Sequence, residues 1–395
     1  MSDQPSAGRA SVLTPPGRGA IAVVTATGVA ALRAVDAHFH AANNRPLAQQ
    51  PRDRIVFGRW GEGDHPEEVI VLRGEGESLE IHCHGGAAAT ARIVDALVAQ
   101  GCRLMPWTEW IEQHAAGGIA AEAELALAQS TTRRTAAILL EQRNGALAGA
   151  LDAISTALAQ GEIASARQTL VTLMERSKLG LHLTEPWQVA IAGRPNVGKS
   201  SLINALVGYQ RAIVFDQPGT TRDVLSAETA IDGWPVRLTD AAGIRDTDEP
   251  LEAEGVLRAR RQLGQADVVL WVVDAAVTRE GRDPFGAAQE QWAEEKPGSA
   301  AVVVPLFVMN KVDLLREAPE SSSMLVCTSA LTGAGIESLL ATIAQRLVAN
   351  PPAPGEAVPF TTRQVQLLDA ARRALDDGEV AAADVALAKL TSRPA

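Results

Sequence analysis

Between Gly193 and Ser200 the chain reads Gly-Arg-Pro-Asn-Val-Gly-Lys-Ser, two glycines with four residues between them, then a lysine and a hydroxyl. Glycine at those places lets consecutive backbone N–H groups turn towards one anionic centre. A helix opening there adds the positive end of its dipole. Lys199 supplies a point charge for β- and γ-phosphates, and the Ser200 hydroxyl suits Mg²⁺. The flanks are those the chemistry needs: an apolar run, Val189–Ala192, leads in, and a helical run beginning at Ser201 leads out. Gly193, Asn196, Val197, Gly198, Lys199, Ser200 and Ser201 are therefore the candidate phosphate contacts.

Three further segments complete a nucleotide site. Asp240-Ala-Ala-Gly243 follows the run Val236–Leu238. There Asp240 can hold Mg²⁺ through water and the Gly243 amide can sense a γ-phosphate. Asn310-Lys311-Val312-Asp313 follows an apolar run ending at Met309. A carboxylate at Asp313 accepts from both guanine N1–H and the 2-amino group, a donor pair adenine lacks, so the pocket selects GTP and GDP. The Lys311 stem can cover the face of the base, and Ser329-Ala330 offers a backbone amide for guanine O6. In Gly219-Thr220-Thr221-Arg222-Asp223, a threonine hydroxyl on Mg²⁺ would order the loop only in the triphosphate state. Thr221 is the choice for that role. Ile244 follows Gly243, and an apolar side chain cannot align the attacking water, so another group must do so. The expected activity is GTP hydrolysis.

The elements that must position these residues differ along the chain. Residues 11 to about 115 carry short strand-like runs (Ala20–Val24, Ile55–Phe57, Val69–Leu72, Leu79–His82) with Gly and Pro turns between them, which predicts a small α+β domain. From about Ala120 to Leu183, apolar residues recur at helical spacing; Leu147, Leu151, Ile154 and Leu158 form one stripe. From Trp187, apolar runs alternate with helical stretches: Val189–Ala192, Val236–Leu238, Val268–Val273, Val302–Met309 and Met324–Val326. That alternation predicts a doubly wound, mostly parallel sheet. A Pro-rich stretch from Pro351 to Gly355 reads as a linker before a final helical piece, about Thr361–Leu390. The expected division is residues 1–118, α+β; 119–185, helical; 186–349, an α/β P-loop domain inserted in the helical one; and 350–395, linker and returning helix.

With 395 residues and a formal charge of −11, the chain has room for two or three cores and is a poor candidate for gripping nucleic acid over a broad cationic surface. Only five of its 36 basic residues are lysines, and two of these, Lys199 and Lys311, lie in the motifs above. Cys83, Cys102 and Cys327 are too scattered for a disulfide framework or a zinc cage. His82 and His84 share one face of a strand, but no third ligand is evident. Residues 1–10 lack the apolar core of a signal peptide, and the apolar runs are too short to span a bilayer. A soluble, cytoplasmic protein without a membrane role is expected.

The segments Val189–Leu206, Gly219–Asp223 and Gly243–Arg245 resemble the TrmE–Era–Der group of bacterial GTPases. Thr14–Val24 and Leu79–Gly86 look like the N-terminal domain of the MnmE (TrmE) family of tRNA-modification GTPases, and the domain order is similar too. That resemblance implies potassium-assisted hydrolysis, with K⁺ held by Asn196, the carbonyls of Phe215 and Gln217, and Thr220. It implies Glu252, twelve residues after Asp240, as the water-orienting catalytic acid. It further implies a homodimer, an MnmG-like partner, tRNA wobble uridine as substrate and a 5-formyl-tetrahydrofolate cofactor.

The departures are specific. Thr25 stands where the family's folate pocket has Arg, and Trp107–Gly118 replaces its Lys-containing segment, leaving Glu80. The chain ends Leu390-Thr-Ser-Arg-Pro-Ala395 where the family carries Cys-Ile-Gly-Lys, and Ala241 replaces a Thr. A regulatory or assembly GTPase of the same descent is the alternative these departures raise. An Era- or Der-like ribosome-assembly factor shares the nucleotide motifs but poorly explains residues 11–118.

Overall fold

The computed structural model describes residues 8–15, 19–61, 65–114, 118–209, 226–241, 263–276, 283–295, 304–317 and 319–392. The chain forms two compact units, Met1–Ala115 and Ala116–Ala395.

The first unit is built on a seven-stranded sheet in the order β3-β4-β5-β6-β2-β1-β7. Its strands are β1 (Arg9–Val12), β2 (Ile21–Thr27), β3 (Phe39–Ala41), β4 (Val56–Trp60), β5 (Glu67–Arg73), β6 (Ser78–His84) and β7 (Arg103–Leu104). All pairings are antiparallel except β1 with β7. Val24, Ala26, Val71, Leu79 and Ile81 point to one face and are packed with Ile93 and Leu97 of helix α2 (Ala87–Ala99) and Ala31 and Val35 of α1 (Val29–His38). The alternation that predicted strands at β2, β4, β5 and β6 is thus the alternation of a half-covered sheet. Strands β1, β3 and β7 were not expected. They are two to four residues long and carry too little pattern to read; a third helix, α3 (Trp107–His114), follows β7.

In the second unit, a six-stranded sheet has the order β13-β12-β11-β8-β10-β9. It comprises β8 (Trp187–Ala192), β9 (Ser226–Ile231), β10 (Trp234–Asp240), β11 (Val268–Asp274), β12 (Leu306–Asn310) and β13 (Leu325–Cys327). Every pairing is parallel except the β9–β10 hairpin. Strands β11 and β12 are buried on both faces, which is why they read as unbroken apolar runs. Val268, Leu270 and Val272 pack with Leu202, Leu206 and Leu339 on one side; Val269, Trp271 and Val273 pack with Ala288 on the other. β12 begins at Leu306 rather than Val302: Pro305 cannot donate to a ladder, and Val304 is exposed.

Helices α4 (Gly118–Gln129), α5 (Arg133–Arg143), α6 (Ala146–Ala159) and α7 (Ile163–Leu181) precede that sheet. Helices α8 (Lys199–Tyr209), α9 (Pro284–Glu295) and α10 (Ile336–Leu347) lie between its strands or after them. The expected final helix is two, α11 (Thr362–Asp376) and α12 (Val380–Thr391), broken where Gly378 adopts φ 80°. The stripe Leu147, Leu151, Ile154 and Leu158 of α6 is buried in a core shared with Leu368, Leu375, Leu387 and Leu390 of the returning helices. That core runs without a break into one face of the parallel sheet. Glu122 of α4 accepts from Arg363 (2.6 Å) and Gln364 (2.6 Å) of α11, so the two ends of the helical region are tied by a charged bond.

Candidate functional site

The first strand of the parallel sheet, β8, has its successors on opposite sides, β10 on one and β11 on the other. Such a reversal leaves a crevice beyond the carboxyl ends of the strands, and the loop leaving β8 opens into it. Within that loop Gly193 (φ 142°), Asn196 (φ 64°) and Gly198 (φ 93°) all have positive φ, the alternation that turns successive amides inward. A Cβ at Gly193 would lie 2.2 Å from the Val272 carbonyl oxygen, so only glycine lets the loop pass over β11. The helix α8 begins at Lys199, two residues earlier than expected, which places the Lys199 and Ser200 amides in its first turn. The Lys199 ammonium donates to the Gly193 (3.1 Å) and Arg194 (3.0 Å) carbonyls, folding back across the loop. Ser200 and Ser201 are exposed at the mouth.

Asp240 ends β10 opposite Ile191 in register and is buried, while the next amide, Ala241, donates to the Ile191 carbonyl (2.9 Å). The Asp240 carboxylate is thus held beside the root of the phosphate loop.

The base segments converge on one side chain. Asn310, at the end of β12, is 1% exposed. Its amide nitrogen donates to the Val197 carbonyl (3.0 Å), and its amide oxygen accepts from the Ala330 backbone (3.1 Å) and the Thr328 hydroxyl (3.4 Å). One buried side chain therefore staples the phosphate loop to the loop after β13. The Ala330 amide, expected at guanine O6, instead donates its proton to Asn310 here. Asp313 is exposed in a 3-10 turn, Val312–Leu314, and the buried Ser329 hydroxyl donates to one of its oxygens, which fixes the carboxylate's orientation. Lys311 takes a left-handed conformation (φ 67°) and sends its ammonium to the Asn196 carbonyl (2.6 Å) and the Asp274 carboxylate (2.8 Å).

Phe215, Gln217, Thr220, Thr221, Gly243 and Glu252 lie outside the described residues. The other expected site residues gather at the carboxyl ends of β8, β10 and β12 and in the loop after β13. The reading of the sequence missed two that belong with them, Thr328 and Asp274. Asp274 carried a signal: it is the first acidic residue after the apolar run Val268–Val273, and it ends β11 as Asp240 ends β10.

Comparison of the sequence with known proteins identifies a family. Residues 188–311 match a family model described as 50S ribosome-binding GTPase. Residues 10–114 match one described as GTP-binding protein TrmE N-terminus. A tRNA modification GTPase MnmE of Symbiobacterium thermophilum is 33% identical over 417 residues, covering 94% of this chain and 88% of the relative. Another from Nitratidesulfovibrio vulgaris (strain DP4) is 32% identical over 418 residues, covering 93% and 88%. The chain belongs to the MnmE family. It is a P-loop GTPase, with GTP and GDP as ligands.

The MnmE-like N-terminal unit carries its polar residues differently. On the sheet face away from α1 and α2, Thr25 stands opposite Glu80 and Ser11 in register. Thr25 is buried and its hydroxyl donates to the Leu79 carbonyl (3.3 Å). Glu80 lies 3.3 Å from His82, and Glu67 lies 2.7 Å from His84. Each histidine thus has a carboxylate partner, and no cluster of three metal-ligating side chains occurs among the described residues. Cys83 and Cys102 point into the core, where burial raises both thiols above the usual range. No helix among the described residues is long and apolar enough to cross a membrane.

Proposed function

We propose that this chain is a cytoplasmic GTP-driven switch in the modification of tRNA wobble uridine, acting as a homodimer with an MnmG-like partner. The tRNA part of the reading is supported by likeness to the tRNA modification GTPases, and the observation that carries its nucleotide part is the Asn310 staple. It ties the phosphate loop to the base loop through one buried side chain, which limits how far the two ends of a guanine-nucleotide site can move apart.

The donor set suits hard cations. Ser200 and Thr221 would hold Mg²⁺ directly, with Asp240 acting through water; bound there, the ion neutralises charge developing on the phosphates. Asn196, Thr220 and the Phe215 and Gln217 carbonyls would hold K⁺, and Glu252 would orient the attacking water. Lys199 keeps the phosphates in line, and Gly243 senses the γ-phosphate. GTP turnover measured in K⁺ and in Na⁺ tests the cation: a rise in K⁺ that Asn196→Ala abolishes is expected, and equal rates remove that assignment. Asp313→Asn tests the base pocket. Preference should move towards xanthine nucleotide, and retained guanine selectivity counts against the pocket.

A second reading, a regulatory or assembly GTPase of MnmE descent, is favoured by Thr25. Where a formyl-folate would need a guanidinium, the chain has a buried hydroxyl already bonded to Leu79. The residues present do not fit that cofactor. Calorimetric titration with 5-formyl-tetrahydrofolate separates the readings: no heat supports the second, and saturable heat supports the first.

A further inference from the structure

We infer that Asp274 is a positioning residue for guanine-nucleotide binding, acting through Lys311; the inference rests on the base-pocket reading above and assigns that pocket a residue outside its motifs. Asp274 is the last residue of β11 and pairs in register with Asn310, the residue before Lys311. The parallel ladder therefore places the carboxylate beside the root of the base loop. One carboxylate oxygen accepts from the Ala276 amide (2.8 Å), which locks the rotamer, and the other faces the Lys311 ammonium (2.8 Å). The ammonium also donates to the Asn196 carbonyl (2.6 Å).

These contacts do what the motif alone cannot. A lysine stem has four rotatable bonds and sweeps a wide volume unless its end is held. Two acceptors, one on β11 and one on the phosphate loop, fix the end and draw the stem across Gly198. The Lys311 Cε lies 3.8 Å from where a Gly198 Cβ would be. A stem held in that position is an apolar wall ready for one face of a flat base. Without the carboxylate, a single neutral carbonyl would hold the ammonium, and nucleotide binding would have to order the stem.

Substitutions at Asp274 separate its two roles. Asp274→Asn keeps an acceptor for Ala276 and removes the charge facing Lys311. Asp274→Glu keeps a charge and disturbs the cap. Binding of a fluorescent GDP analogue to the full chain gives Kd and the off-rate. Asp274→Asn should raise Kd for GDP and GTP alike by about fivefold, the scale of a partly exposed charged contact, through a faster off-rate. KM for GTP should rise by the same factor while kcat holds, and Asp274→Glu should recover most of the affinity. In a Lys311→Met background, Asp274→Asn should have no further effect. An unchanged Kd, a loss as large in the Lys311→Met background as in the wild type, or a fall in kcat alone overturns the inference. A wild-type chain that takes up no GDP overturns the base-pocket reading itself. Wild-type guanine selectivity with an indifferent Asp274→Asn overturns only the positioning role.

Discussion

The two sheets place their polar chemistry in opposite ways. In the parallel sheet the strands are almost wholly packing, and every described candidate functional residue lies at a strand's carboxyl end, in the loop beyond it or in the first turn of α8. In the N-terminal sheet Thr25, Glu80, His82 and His84 lie within the strands, on the face away from α1 and α2. The difference comes from connection geometry. Crossover helices cover both faces of a parallel sheet, so only its ends stay open, whereas an antiparallel sheet keeps a whole face available. A strand-end residue that reaches only into the crevice can therefore be damaged with little effect on stability. A face residue is bound up with packing, and changing it alters stability first.

The sharpest way to break that contrast is Lys199→Ala. Steady-state GTP turnover should fall by roughly a thousandfold, since the main point charge on the phosphates is lost, while the denaturation midpoint hardly moves. A large loss of stability would mean that the strand-end site is structural after all. Asn310→Ala sits between the extremes. Removing it leaves the Val197 carbonyl and the Ala330 amide without this partner, so urea denaturation should show a loss of about 3 kcal/mol together with weaker GDP binding.

Asp267 gives a smaller effect with a pH signature. It joins the end of α7 to the sheet: Lys178 is 3.1 Å away, His182 is 3.6 Å away and the Gln188 amide donates to it at 3.0 Å. Burial alone would raise its pKa, but His182, the Gln188 amide and Lys178 outweigh burial and bring it from 3.8 to about 2. Because the folded value is depressed, the contribution is complete above the ordinary value and drains away as pH falls towards 2. Asp267→Asn should therefore cost about 2 kcal/mol at pH 7 and progressively less below pH 4, as measured by denaturation across that range. A cost independent of pH would remove the electrostatic account.

Ser11→Ala probes the N-terminal face and should give the smallest change. The Ser11 hydroxyl is fully buried and has no hydrogen-bond partner among the described residues. Deleting it should stabilise the protein by about 1 kcal/mol with turnover unchanged. A loss of GTPase activity would show that this face reports to the nucleotide site.

How much was legible depended on the range of the interaction. The phosphate loop was readable because its glycines, lysine and serine act within eight consecutive residues. Strands β11 and β12 were readable because burial on both faces writes an unbroken apolar run. The edge strand β9 was not, since Ser226–Ile231 carries a single large apolar residue, Ile231. Nor was the break between α11 and α12, where one glycine interrupts an otherwise continuous helical composition.

The sequence by itself carried the proposed ligand chemistry: a phosphate loop, a hydroxyl suited to Mg²⁺ and a carboxylate suited to guanine each follow from residue type and local spacing. Tertiary structure alone decided which partners hold those residues. Parallel register set Asp274 beside Lys311 and let Asn310 reach both Val197 and Ala330, although these residues are far apart along the chain. It also put Thr25 under cover, bonded to Leu79, where the sequence could say only that an arginine was missing. Local motifs encode what a group can donate or accept. Which partner meets it is settled by strand register and burial, and both depend on the whole fold.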